Sequence, residues 1–575
     1  MPPDSPLVSS PQSTTFSHEK RTSFFSKATD APRTTGKKRR STGAKFDEII
    51  PHPSIIKNGA RNLVLCFDGT GDQFDDDNSN IVKLFSMLKR DDVKQQLVYY
   101  QAGIGTYTIP EIANPWTAKL QKTLDMMVGK NLNSHIMAGY EFLMQNFIAG
   151  DKIFIFGFSR GAYTARALAG MVHKVGLLPP CNHQQVPFAY KMYKRNDKKG
   201  WDQSTKFKKT FSIDVDIEFV GVWDTVASVG IVPRRLPFTA SNSHIRHFRH
   251  AISLDERRAR FKPNLWNHAT KEDEEAHARG ELGVRKGEMQ RGGHDHPYET
   301  DSDDDGEDEE GLEPAAGEQA TRDTAQGQHK KTKKGEAVTR GDDETMSAFE
   351  RRFEEQEASE RDANDPTDIL EVWFSGAHTD VGGGSVANGT RHNLARIPLR
   401  WMVRQCFLLK LPILWHAHAF PHIGLDPATL YPKVLPRPEP IGYTPNCIAH
   451  QFDPPINKAK DYTVNVHKVK ERPFESEEME DMLDALTPIY DQLRMAKFWW
   501  VLELIPTKHR YQHSDKSWVH KKGVNLGGPR HIPKIGDGQV FVHRTVKIRM
   551  EAEGFFSDKH YKPAARLDFE PEWVA

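Results

Sequence analysis

The sequence predicts a doubly wound, mainly parallel α/β sheet with helical C-terminal additions and two disordered segments. Two observations predict it. Five short β-branched or aromatic runs are apolar throughout and end abruptly in polar residues or glycine, as strands buried on both faces of a parallel sheet do. Stretches with helical periodicity lie between them, and alternating strand and helix signals imply crossover connections.

The elements follow in order. Leu63–Phe67 runs into Asp68-Gly69-Thr70, and Leu97–Tyr100 into Gln101-Ala102-Gly103. Ile153–Phe156 runs into Gly157, Ile217–Trp223 into Asp224, and Ile369–Phe374 into Ser375-Gly376-Ala377-His378. Leu132, Ile136, Tyr140, Leu143 and Phe147 keep helical spacing, and Ala162–Met171 is rich in Ala and Leu. Ligands on such sheets bind beyond the carboxyl ends of the strands, where these polar residues fall. Further on, residues 478–505 carry an apolar helical pattern ending in Phe498-Trp499-Trp500-Val501-Leu502. Those aromatics are either core packing or a lid or acyl-chain wall. Gly527-Gly528-Pro529-Arg530 reads as a turn and Gln539–Val546 as a strand.

Polar stretches divide the 575 residues. Residues 1–58 form a Ser/Thr-rich basic tail, and 59–266 the first part of the sheet domain. Residues 267–367 form a charged insertion, and 368–575 the second part with a helical C-terminal region. Tail and insertion have too few bulky apolar residues to offset their ordering entropy. Lys37-Lys38-Arg39-Arg40 is a solvated basic patch or a nuclear-localisation signal. His294 and His296 beside an acidic run read as a solvated loop, as do Asp75, Asp76 and Asp77.

Charge is balanced, 79 Lys+Arg against 78 Asp+Glu, so nothing draws the whole chain toward nucleic acid. Four cysteines without a CxxC pair exclude a disulfide framework and a Cys-rich zinc site and fit a reducing compartment. No apolar run reaches the ~18–20 residues of a membrane span, and the first twenty residues lack the apolar core of a signal peptide. The expectation is an intracellular, mainly cytoplasmic protein without metal or cofactor.

The chemistry concentrates at Gly157-Phe158-Ser159-Arg160-Gly161, after the third strand and before a helix. That is a nucleophile elbow, the GxSxG turn of sheets of α/β-hydrolase type. The tight turn exposes the Ser159 hydroxyl above the sheet, and the helix start aims free N–H groups at a developing oxyanion. Serine needs a base, and the base an orienting acid. Asp224 and His378 end the next strands in the order these hydrolases use. His543, in Phe541-Val542-His543-Arg544, is the rival base. The backbone N–H groups of Arg160 and Gly69 are the expected oxyanion hole; Asp68, Thr70 and Asp380 shape the site. A phosphatase reading of the Asp68-Gly69-Thr70 loop fails, because the nucleophilic Asp of Asp-x-Asp-x-Thr would stand where Cys66 is.

At these residues the chain resembles the α/β hydrolases related to the phospholipase effectors of bacterial type VI secretion. The resemblance rests on Phe67-Asp68-Gly69-Thr70, on Gly157 to Arg166, on Val222-Trp223-Asp224-Thr225-Val226, on Ser253-Leu254-Asp255-Glu256-Arg257-Arg258, and on Trp373 to Gly384. It spans about 61 to 266 and 368 to 410. It implies a Ser159–Asp224–His378 triad and hydrolysis of lipid or other small esters, with peripheral membrane contact rather than a span. The second expectation is a catalytically silent protein that keeps the fold and binds partners through its charged insertion.

Overall fold

The computed structural model describes residues 49–56, 60–70, 72–103, 132–226, 235–267, 346, 348–354, 357, 366–443, 474–512, 518–532, 539–552, 560–567 and 569–575. The Lys37–Arg40 patch, His294 and His296 lie outside them. Eight strands make one sheet: β1 (Asn62–Phe67), β2 (Gln96–Gln101), β3 (Lys152–Phe158), β4 (Ile217–Trp223), β5 (Ile245–Ser253), β6 (Asp368–Phe374), β7 (Phe541–His543) and β8 (Glu572–Val574). Their order is β8-β7-β6-β5-β4-β3-β1-β2, and every neighbouring pair is parallel.

The strands are apolar on both faces because both faces are covered. Leu63, Leu65, Ile153 and Ile155 pack against α2 (Leu132–Asn146) and α3 (Ser159–Val175). Val64, Cys66, Phe154 and Phe156 pack against α1 (Asn80–Met87), α4 (Arg396–Leu408) and α5 (Glu477–Ala485). Strand order reverses between β1 and β3, so the crevice at their carboxyl ends is the topological switch point.

Three departures from the sequence reading concern the sheet and its covering. β5 was hidden by its Arg and His residues. Arg249 and His250 are nevertheless buried, because Arg249 donates to Gln405 (2.9 Å) and pairs with Asp368 (2.7 Å), while His250 bonds Glu371 (2.8 Å). The C-terminal part is more than helical: β7 and β8 extend the main sheet, and Gln539–Val546 shortens to β7 before a helix at Thr545–Glu551. Thr507–Gln512 and Trp518–Gly523 pair as an antiparallel hairpin.

The third departure corrects the insertion. Its end, residues 346–354 apart from 347, is helical. Phe353 is buried with Trp201 and Phe238, and Phe349 packs on them. Two acidic residues at this end have partners. Glu350 accepts from the Phe238 N–H (2.6 Å) and pairs with Arg235 (2.8 Å), and Glu357 bonds His173 (3.1 Å) and His244 (2.8 Å) and meets Lys208. Two variants separate the insertion's parts. Removing 268–345, which is poor in apolar side chains, is expected to leave the melting temperature within about 2 °C. Phe353→Ala is expected to cost about 3 kcal/mol in urea unfolding; a cost below about 0.5 kcal/mol would mean the helix does not pack.

Candidate active site

β3 ends at Phe158, and the next residue, Ser159, takes φ 58°. That left-handed conformation is uncommon for a residue with a Cβ and marks strain. The flanking glycines allow it. A Cβ on Gly157 would meet the Ala162 Cα at 2.6 Å, and one on Gly161 would meet the Asp68 carbonyl oxygen at 2.3 Å. The elbow therefore locks β3, α3 and the loop after β1 together at backbone distance.

The structure brings the three expected side chains together. The His378 Nε2 lies 2.8 Å from the Ser159 Oγ, and its Nδ1 lies 2.5 Å from the Asp224 Oδ2. Asp224, at the end of β4, also takes a positive φ, 41°, and its N–H donates to the Ala251 carbonyl at 2.7 Å. His378 opens a short helix, His378–Gly382, after β6. Its own N–H donates to Glu256 at 3.3 Å, and Glu256 is clamped by Arg258 (2.8 Å). The imidazole sits between the rings of Phe158 and Phe261, with both centroids at 4.8 Å. Burial lowers the His378 pKa below the ordinary imidazole value, and the bond to Asp224 offsets part of that. Buried and acid-supported, His378 is a neutral acceptor at neutral pH.

One partner of Asp224 escaped the sequence reading. Arg530 is fully buried and grips the carboxylate with both nitrogens, Nη1 to Oδ1 at 2.5 Å and Nη2 to Oδ2 at 2.9 Å. Asp224 Oδ1 also accepts from the Ser253 N–H at 2.9 Å. Burial alone would raise the Asp224 pKa; Arg530 and His378 outweigh it and hold the carboxyl well below its usual range. The Gly527-Gly528-Pro529-Arg530 turn is thus the segment that delivers this guanidinium.

The other expected residues fall as follows. Asp68 accepts from the Ser79 hydroxyl (2.6 Å) and the Tyr100 hydroxyl (2.8 Å), so it ties the loop after β1 to α1 and β2. Its carboxylate also takes the Gly69 N–H at 2.8 Å. The expected Gly69 oxyanion donor is thereby spoken for, which corrects that expectation. Arg160 lies in the first turn of α3, where a backbone N–H has no helical partner. The Thr70 Oγ1 is buried without a hydrogen-bond partner. Asp380 accepts from the Ala377 and Tyr490 N–H groups, both at 2.9 Å, and thereby orders the turn that carries His378. Burial pushes its pKa up to about 7.

His543, the rival base, is placed otherwise. Its Nδ1 bonds the Thr545 hydroxyl at 2.9 Å, its ring stacks on Phe374 at 4.9 Å, and burial pushes its pKa down to about 3. It is a core histidine of β7. The aromatic run near 500 divides. Trp499 is buried edge-on to Phe261 at 5.5 Å, under the Arg258 guanidinium, whereas Phe498, Trp500, Val501 and Leu504 are exposed.

Among the described residues, two groups of side chains have metal-compatible donors, His173/His244/Glu357 and His392/Glu480/Asp484. Each already holds a cation of the protein: Lys208 sits on Glu357, and Arg396 pairs with Glu480 and Asp484.

The family model for the "T6SS, Phospholipase effector Tle1-like, catalytic domain" matches residues 61–405. The chain belongs to the Tle1-like phospholipase effector family. That family supports a phospholipase-like hydrolase on this fold. The uncharacterized Saccharomyces cerevisiae protein YEL023C is 30% identical over 604 residues, covering 93% of this chain and 84% of its own. Two solved structures are similar at low overall superposition. An uncharacterized protein from Pseudomonas aeruginosa is 16% identical with a TM-score of 0.28, covering 62% of this chain and 46% of its own. A Tle1 effector bound to the VgrG spike of the type 6 secretion system is 18% identical with a TM-score of 0.22, covering 37% and 48%. This chain thus spans about half the length of those two structures.

The Arg530 clamp generates a prediction. Arg530→Met removes the bidentate counter-charge but keeps a long apolar side chain, leaving a buried carboxylate unpaired. The expected loss is about 3–5 kcal/mol of unfolding free energy in urea. A loss below about 1 kcal/mol would show that Asp224 does not depend on it.

Proposed function

We propose that this Tle1-like chain is a serine hydrolase that cleaves a carboxylic ester of a lipid, with phospholipids the leading class. The observation that supports the reading is the hydrogen-bonded line Ser159 Oγ–His378–Asp224 at 2.8 and 2.5 Å. His378 Nε2 takes the hydroxyl proton as the Ser159 Oγ bonds to the ester carbonyl carbon. The carbonyl oxygen becomes an oxyanion facing the Arg160 N–H. The tetrahedral centre then collapses, the ester C–O bond breaks, and Nε2 returns the proton to the leaving alkoxide. Water, deprotonated by the same imidazole, releases the acyl group and restores Ser159. Asp224 holds the Nδ1–H tautomer and balances the imidazolium.

The lipid part of the reading draws on family membership and on the exposed Phe498, Trp500, Val501 and Leu504 beside Trp499. Apolar side chains of this size exposed together suit contact with a lipid surface. The membrane contact is peripheral in this reading; among the described residues no helix is long and apolar enough to cross a membrane.

Triad variants test the reading. Ser159→Ala and His378→Ala are each expected to cut kcat on a phospholipid ester by ~10⁴–10⁶, with the double variant little worse than either. His543→Gln is expected to keep most of the turnover. If Ser159→Ala stays folded and keeps more than a tenth of the rate, the reading fails. The sign of the pH dependence follows from His378, whose base form must be neutral. Its pKa lies below about 6.5, so kcat/KM is expected to rise with pH through a midpoint below that value and to be flat by neutrality.

A further inference from the structure

The residue after the nucleophile is the one whose placement the mechanism does not use. Arg160 enters the mechanism through its backbone alone, yet its side chain is more than nine-tenths buried. Among the described residues its Nη1 is a buried donor with no hydrogen-bond partner. A buried guanidinium left in that state is costly, because it gives up hydration without a compensating bond. Burial lowers its pKa to about 10, partly countered by the field of Asp72, so it is charged at neutral pH. Asp72 belongs to the loop after β1, the loop on which the elbow packs through Gly161. The same loop carries a second orphan donor among the described residues, the buried Thr70 Oγ1.

We infer that the Arg160 guanidinium, with the Thr70 hydroxyl, is a phosphate-binding subsite that receives the phosphodiester of a lipid whose ester carbonyl stands on Ser159. The inference rests on the hydrolase reading and deepens it by naming the side chains that select a phosphate-bearing ester over a neutral one. The chemistry fits the neighbourhood. In a glycerophospholipid the phosphate lies a few bonds from the ester carbonyl, and Arg160 lies one residue from the nucleophile. An arginine fork matches phosphate oxygens and makes charge-assisted bonds, and an anion supplies what the orphan donors lack. A neutral glyceride offers no such group.

The test pairs two substrates with identical acyl chains in the same dodecyl maltoside micelles: dioleoyl phosphatidylglycerol and dioleoylglycerol. Wild type is expected to favour the phospholipid in kcat/KM. Arg160→Gln is expected to shrink that preference by about tenfold or more, as the loss of a charge-assisted bond implies, and Arg160→Lys to restore part of it. A preference that survives in Arg160→Gln, with both substrates slowed alike, overturns the inference.

A second arm needs no lipid turnover. Inorganic phosphate is expected to slow labelling of Ser159 by phenylmethanesulfonyl fluoride in wild type and to leave Arg160→Gln unaffected. Equal protection of both proteins, or of neither, overturns the inference. The arms also separate the source of the anion, since protection by free phosphate without a lipid preference would make the site one for phosphate itself and overturn the lipid assignment. A folded wild type that neither hydrolyses either lipid nor labels at Ser159 overturns the hydrolase reading, and this inference with it. Labelling without loss of preference in Arg160→Gln overturns the inference alone.

Discussion

The proposed triad at the carboxyl edge of the sheet is arranged around one buried carboxylate. Asp224 has no exposure to solvent. Its charge persists only because Arg530 meets both of its oxygens, while His378 and Ser253, through its N–H and its hydroxyl, supply the remaining bonds. That single group joins the end of β4, the end of β5, the turn after β6 and a C-terminal segment 306 residues away. Removing one partner from such a cluster leaves an uncompensated charge, whereas the complete set is neutral and fully bonded. The C-terminal segment is therefore a structural part of the site, although it lies outside the matched catalytic domain at 61–405.

The second constraint is backbone strain at the same edge. Ser159 and Asp224 both have positive φ, 58° and 41°. Each sits where a buried parallel strand gives way to a turn, and each is held by contacts on both sides: Gly157 and Gly161 against neighbouring backbone, and the Asp224 N–H on Ala251. Strain of this kind persists only where the surroundings over-determine it. Here it is concentrated in the nucleophile and the acid of the proposed triad, the two residues whose side chains must stand clear of the sheet.

Ser159, Asp224 and His378 were legible in the sequence because each follows an apolar run, and a run that ends in a reactive side chain announces its own position at the sheet edge. Arg530 was not, because nothing in Gly-Gly-Pro-Arg says that the arginine turns inward. β5 was obscured by Arg249 and His250, which are buried only by virtue of Gln405, Asp368 and Glu371 on other segments. The helical end of the insertion was obscured in the same way, since the partners of Glu350 and Glu357, Arg235 and His244, lie more than a hundred residues away in the chain. Gly69 departs from its expected role for a local reason: the side chain of the preceding residue takes its N–H. In each case the sequence revealed what a residue prefers on average, and a partner distant in the chain, or the neighbouring side chain, decided what it does.

In the proposed mechanism His378, held by Asp224, makes Ser159 a nucleophile. Its most direct measurement is covalent labelling of the intact chain with a fluorophosphonate, followed by mass mapping of the adduct and its rate across pH. One adduct is expected, on Ser159, formed at a rate that rises through a titration below about 6.5 and that collapses in folded His378→Gln. An unlabelled Ser159 in folded protein, or labelling that proceeds undiminished without His378, would contradict it.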